Sequence, residues 1–269
     1  MSSSTHNKTA ARRWLCYLVI DPLVYLYTVV LGTLSLLSSF FDRSGRIQHG
    51  FARLWSSFIL RTAGCPVSVE GLDKIDTSRS YIYAVNHISA LDIPALYMAM
   101  PFQFRIMAKR ELFRYPFLGW HLKRSGQIPI ERENARASLR SLIQASEAVR
   151  NGMPLLVFPE GGRSPDGQIK PFLAGVFYVG IKAAVEIVPM ALVGTYEALP
   201  MNTWVIYPRQ FRLVVGEPIS TAGLAPRDME QLAARTQKII EDLYYAHSDV
   251  PDPRAPATAQ NAELHRASE

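Results

Sequence analysis

From Val67 to Val215 the chain alternates short apolar runs with stretches of helical spacing, which restricts it to few folds. The runs "YIYAV" (81–85), "FRIMA" (104–108), "QIPI" (127–130), "PLLVF" (154–158), "EIVPMALV" (186–193), "TWVIY" (203–207) and "FRLVV" (211–215) are rich in β-branched and aromatic residues and read as strands. Between them "LDIPALYMAM", "NARASLRSLIQASEAVRNG", "AGVFYVGIKAA" and "PRDMEQLAARTQKIIEDLYYAH" read as helices. Asn134 can cap the second of these and Gly152 can end it. Alternating strands and helices predict an α/β domain over residues 65–247, with a single mostly parallel, twisted sheet flanked by helices. The chain has 269 residues, 48% of them hydrophobic, which is enough for one sizeable core. Residues 248–269 are polar and rich in proline and alanine, and are expected to be disordered.

The N-terminal region has a different character. Residues 1–13 are polar and end in Arg12-Arg13, and an apolar stretch fills 14–41. The part from Leu23 to Phe41 carries no charge and is about as long as one bilayer span in helical form. Basic residues ahead of an apolar run also fit a cleaved signal peptide, but this run is long and no small-residue cleavage site follows it clearly. A retained membrane segment is the expectation. Asp21-Pro22 interrupts the run. Arginines stand on both sides of it, and the positive-inside rule would keep both flanks cytoplasmic, which suits a segment that enters one leaflet and returns. The next stretch, 46–64, places Ile47, Phe51, Leu54, Trp55, Phe58 and Ile59 at helical spacing with arginines elsewhere. It reads as a basic amphipathic helix in a membrane interface, or as a helix packed on the globular domain. Residues 14–64 are therefore the expected anchor.

The formal charge of +6 favours anionic partners without choosing among nucleic acid, anionic lipid and phosphorylated substrates. Cys16 and Cys65 belong to no CxxC pair, so neither a disulfide framework nor a metal site is expected.

Two constellations carry chemistry. In "AVNHISALDIP" (84–94) a strand ends at Asn86-His87, and Pro94 marks the first turn of a helix that should begin near Leu91. His87 then lies in the connecting turn, at the sheet edge where open α/β folds bind ligands, and Asp92 lies in the first helical turn. Five residues along a straight helix would place the two side chains about 140° apart, but a turn can bring them together. A carboxylate-held imidazole is a general base, though the same residues also fit a capping histidine and a helix N-terminal charge. No G-x-S-x-G elbow is present, so a hydroxyl of a bound substrate is the simpler proton donor to such a base.

The second constellation is "VFPEGGRSPDG" (157–167), also after a strand. Gly161 and Gly162 let the backbone approach a ligand, Arg163 offers a planar fork suited to phosphate, and Glu160 can pair with Arg163 or hold a polar substrate group. Lys109 and Arg132 stand after two further strands. In a parallel sheet all these ends share one edge.

Together these residues resemble the glycerolipid acyltransferase family, which includes the 1-acylglycerol-3-phosphate acyltransferases. The family's N-H-x4-D motif corresponds to Asn86-His87 through Asp92, and its F-P-E-G-T-R-S motif to Phe158 through Ser164. Further motifs match "SGQIPIER" ending in Arg132, Lys109-Arg110-Glu111-Leu112, and Val188-Pro189 in "IVPMAL". The resemblance implies transfer of a fatty acyl group from acyl-CoA or acyl carrier protein to a lysophospholipid hydroxyl. It implies His87 as base and Asp92 as its partner. Glu160, Gly161, Gly162 and Arg163 would bind the acceptor phosphate, with Arg132 and Lys109 as further cations and Pro189 on the acyl-donor side. It implies no cofactor, no metal, no nucleic-acid partner, and a site on the cytoplasmic side of a membrane, the inner membrane in a bacterium. Two departures bear on the acceptor: Gly162 replaces the usual threonine, and "PFLAG" (171–175) lacks the basic residue that often follows the phenylalanine. The second admits a non-phosphate acceptor such as a lyso-ornithine lipid. A lipid-binding protein with an idle motif is a more distant reading.

Overall fold

The computed structural model describes residues 10–131 and 134–255. Arg132 and most of the tail, 256–269, lie outside the described residues. Seven strands, β1 (Val67–Glu70), β2 (Ile82–Val85), β3 (Arg105–Lys109), β4 (Ile128–Ile130), β5 (Leu155–Val157), β6 (Ile187–Val193) and β7 (Phe211–Val215), form one sheet. Their order is β1-β7-β6-β2-β5-β3-β4, and every neighbouring pair is parallel except β6–β7. The mostly parallel sheet expected from strand–helix alternation is present.

Successive residues of a strand face opposite sides, so a fully apolar strand needs cover on both. Tyr83 and Val85 of β2 join one buried cluster, and Ile82 and Ala84 join the other. Helices α1 (Ala10–Ser38), α2 (Arg46–Ala63) and α3 (Asp92–Ala99) contribute to the first cluster. Helices α5 (Ala135–Arg150), α6 (Phe177–Ala183) and α8 (Met229–Tyr245) contribute to the second. The short α4 (Leu118–Arg124) follows β3, and the single-turn α7 (Thr195–Ala198) follows β6. Asn134 caps α5 as its sequence suggests: its side-chain oxygen accepts the Ala137 N–H at 3.0 Å.

The N-terminal region departs from its sequence reading in one respect. Asp21-Pro22 does not break the apolar segment. The missing N–H of Pro22 and the clash of its ring with the preceding turn are taken up by a π-helical turn, Cys16–Ile20, and α1 continues for 29 residues. This helix is long and apolar enough to cross a membrane by length and composition. Its outer side carries Trp14, Leu18, Tyr25 and Leu26, all more than half exposed. Its inner side rests on α2, where Tyr27 meets Phe58 at 5.2 Å between rings and Trp55 donates to Thr28 Oγ1 at 2.9 Å. α2 packs on the globular domain, with Ile59, Leu60 and Ala63 buried in the core, while Ile47 and Leu54 stay exposed.

Two strand assignments change. "VSVE" (67–70) is the edge strand β1, paired with β7; its two polar residues in four hide it in the sequence. "TWVIY" (203–207) forms no strand. A strand uses its carbonyls in a ladder, but here the Ile206 carbonyl accepts from Arg12 Nε at 2.7 Å and from Cys16 Sγ at 3.6 Å. The Tyr207 N–H donates to Ala198 O at 2.8 Å. The segment is a strap that binds α1 to the sheet domain, with its own Ile206 side chain buried.

Arg12 also donates to Ala63 O at 3.2 Å, so one guanidinium holds both the strap and the end of α2. Arg12→Met should lower unfolding stability by about 1–3 kcal/mol, the usual scale for hydrogen bonds from a charged donor. It should also speed proteolysis within the strap. An unchanged melting temperature and cleavage pattern would show that the strap does not depend on Arg12.

Candidate active site

β2 and β5 are neighbours in the sheet and run parallel, so their carboxyl ends lie side by side. The two motifs leave from those ends. Beyond β2, Asn86 is fully buried and zips the chain to β6: its amide donates to Leu192 O at 2.9 Å, and its oxygen accepts Leu192 N–H at 2.7 Å. Fixed there, the chain turns, and α3 begins at Asp92 after Leu91. The turn is closed by one carboxylate oxygen. Asp92 Oδ2 accepts from Ile88 N–H at 2.7 Å, Ser89 N–H at 2.9 Å and His87 Nδ1 at 2.8 Å.

That arrangement sets the imidazole's tautomer. The oxygen offers only lone pairs to its three neighbours, so Nδ1 carries hydrogen and Nε2 presents a lone pair. Asp92 is inaccessible to solvent, whereas the His87 side chain is 19% exposed. The ring also stacks on Phe158, 4.0 Å between centroids and 24° between planes. An aromatic wall and a carboxylate together hold both its position and its tilt.

The motif after β5 wraps around this turn. The His87 N–H donates to Glu160 Oε1 at 2.7 Å, and the His87 carbonyl accepts Ser164 N–H at 3.0 Å. Glu160 Oε2 accepts Lys170 N–H at 3.0 Å. Glu160 is therefore a clamp between two loops, and it forms no ion pair with Arg163 among the described residues. Its burial raises the carboxyl from 4.5 to about 7, against the two backbone N–H bonds and the Lys170 charge, which lower it.

Gly161 has φ +75°, a conformation that favours glycine, and its N–H closes the turn onto Phe158 O at 3.0 Å. Gly162 borders open space; the nearest atom to a Cβ there would be Lys170 Nζ at 3.7 Å. Arg163 is exposed, and its carbonyl accepts Lys170 Nζ at 3.2 Å.

The structure thus brings His87, Asp92, Glu160, Gly161, Gly162 and Arg163 together. Lys109 ends β3, beyond β5 on the same run of parallel strands, and lies 3.6 Å from Glu111. Pro189 stands apart from them: it is buried within β6, opposite Ala84, with its ring against the backbone of Gly216. Two contributors were missed in the sequence. Asn86 looks there like a strand terminator and is in fact the bolt between β2 and β6. Lys170 precedes the Pro-Phe pair instead of following it, and only the folded loop shows its ammonium beside Gly162.

A family model described as Acyltransferase matches residues 66–193, a span that includes both motifs. The chain is 30% identical over 201 residues to a 1-acyl-sn-glycerol-3-phosphate acyltransferase of Helicobacter pylori, covering 74% of this chain and 83% of the relative. It is also 30% identical over 205 residues to a chloroplastic 1-acyl-sn-glycerol-3-phosphate acyltransferase of Brassica napus, covering 74% of this chain and 59% of that one. The chain thus spans little more than half the length of the plant relative. The crystal structure of the 1-acyl-sn-glycerophosphate acyltransferase PlsC of Thermotoga maritima is similar with a TM-score of 0.72 and 25% identity, covering 91% of this chain and 99% of that one. With its parallel sheet, its His-Asp turn and this likeness, the chain belongs to the acyltransferase family, alongside the 1-acyl-sn-glycerol-3-phosphate acyltransferases.

Proposed function

We propose that the protein transfers a fatty acyl group from a thioester donor, acyl-CoA or acyl carrier protein, to the free hydroxyl of 1-acylglycerol-3-phosphate. The observation that carries this reading is the fixed His87–Asp92 pair, whose Nε2 lone pair stands beside a cation-bearing glycine turn. Nε2 takes the hydroxyl proton as the acceptor oxygen attacks the thioester carbonyl. The carbon–sulfur bond then breaks, and the thiol leaves with a proton returned by the imidazolium. Asp92 steadies the imidazolium meanwhile. Metal and cofactor have no part in this scheme.

Arg163, Lys109 and Arg132 are the cations proposed to aim the acceptor by its phosphate, which supplies the positioning part of the rate. Lys170 joins them. The cation missing from "PFLAG" admits a non-phosphate acceptor, and the Lys170 ammonium beside Gly162 supports a phosphate. The exposed apolar side of α1 supports a membrane location, where both lipid chains reach the site from one leaflet. In a bacterial cell we place the site on the cytoplasmic side of the inner membrane.

His87→Ala should lower kcat by about 10²–10⁴ with little change in melting temperature. Near-normal turnover by the folded variant would remove the base from the scheme. Lys170→Met and Arg163→Ala should each raise KM for 1-acylglycerol-3-phosphate more than they lower kcat, because a ground-state contact is lost. An unmoved KM in both variants would argue against a phosphate acceptor held at this turn.

Glu160 makes a pH prediction. Its folded value, about 7, lies above its ordinary value of 4.5, so its contribution to stability is full below pH 4.5 and is lost as pH rises through 7. Between pH 5 and pH 8 the wild type should lose roughly 3 kcal/mol from this group, and Glu160→Gln should remove most of that slope. Denaturant titrations of both proteins at the two pH values measure it. Equal slopes would mean that Glu160 stays charged throughout.

A further inference from the structure

One exposed surface outside the active site is not accounted for by acyl transfer. Within the six residues Tyr115 to Trp120, at the start of α4, four large apolar side chains point outward: Tyr115 is 59% exposed, Phe117 64%, Leu118 45% and Trp120 53%. Water-facing loops seldom carry so dense an apolar patch without a partner. Phe117 has φ +59° and ψ −61°, backbone that side-chain-bearing residues rarely adopt. Its ring stands 64% exposed and pairs with the exposed Trp120, 5.3 Å away. The turn behind it is locked, because a Cβ on Gly119 would lie 2.3 Å from the Phe113 carbonyl oxygen. A rigid turn thus holds aromatic rings out of the protein.

The patch adjoins the end of α1. Ser35 Oγ and His121 Nδ1 are 3.2 Å apart, and the Arg124 guanidinium lies 4.9 Å from the Phe40 ring centroid. Phe40 and Phe41 are themselves 69% and 88% exposed. Around these rings stand Arg43, Arg114 and Lys123, exposed and without a carboxylate partner among the described residues. Aromatic rings flanked by unpaired cations suit the headgroup level of an anionic bilayer, the rings at the acyl boundary and the cations among the phosphates.

We propose that Tyr115 to Trp120, with Phe40, Phe41 and the surrounding cations, forms a second bilayer contact that seats on anionic phospholipid. The proposal rests on the reading of α1 as the membrane element, since the patch continues that surface. One contact line would let the domain roll about α1. Two lines fix its rotation, and with it the presentation of the β-strand ends that bear His87 and Arg163.

The chain has four tryptophans, which permits a direct test in the full-length protein. One variant keeps only Trp120 (Trp14→Phe, Trp55→Phe, Trp204→Phe), and a second keeps only Trp14 (Trp55→Phe, Trp120→Phe, Trp204→Phe). Each is reconstituted in mixed phosphatidylcholine and phosphatidylglycerol vesicles with brominated acyl chains, and tryptophan emission is read. Both residues should be quenched. Quenching of Trp14 without Trp120 would overturn the second contact and leave α1 in the membrane, whereas quenching of neither would overturn both readings. An unquenched Trp120 whose emission shifts with protein concentration would assign the patch to a second copy of the chain, and likewise overturn the proposal. Phe117→Gly in the Trp120-only protein adds a readout that a structural role would not move. Glycine suits the positive φ, so the melting temperature should hold or rise while Trp120 quenching falls by about half. Unchanged quenching there would remove Phe117 from the contact.

Discussion

Three donors meet at one oxygen of Asp92, and much else follows from that convergence. Two of them are backbone N–H groups, so the carboxylate shapes the turn as well as orienting the imidazole. Such a turn has little tolerance for a longer connection: the helix starts at Asp92, and the strand ends at Val85, two residues before His87. Pro94 in the first turn and Asn86 at the strand end impose those limits from the two sides. The imidazole of His87 is held by the same carboxylate oxygen that folds its loop.

The second loop is organised around the first. Glu160 and Ser164 take the N–H and the carbonyl of His87, which leaves both backbone polar groups of that residue engaged. The glycine turn is thereby set at a fixed distance from the imidazole. An acidic residue in such a motif invites a reading as a ligand for substrate. Burial and two backbone donors give it the part of a brace between the loops, and its elevated proton affinity is the electrostatic cost of that position.

How much of this was legible beforehand depended on whether a feature was local. The parallel sheet, the start of α3, the cap of α5 and the meeting of the two motifs at one edge follow from period, proline position and strand–helix alternation, all local signals. The strap at 203–207 has the composition of a strand and is not one: its Ile206 carbonyl is claimed by both Arg12 and Cys16, some 190 residues earlier. The edge strand β1 shows the reverse: its polar residues conceal a role conferred by β7. Proline 22 has a strong breaking tendency, but a local π turn absorbs it, and only packing decides between those outcomes. Asn86 acts through a partner 106 positions away, and the Lys170 ammonium through one 7 positions away across a loop, neither at a regular helix or strand spacing.

The space beside Gly162 ties two positions into one. With no side chain at 162, the ammonium of Lys170 occupies the approach to the turn. A bulkier residue at 162 would compete with it for volume, and a shorter residue at 170 would leave the gap empty and uncharged. The two positions are neighbours in space, at ordinary contact distance. Paired substitutions at the two positions therefore test a coupling that single substitutions would miss.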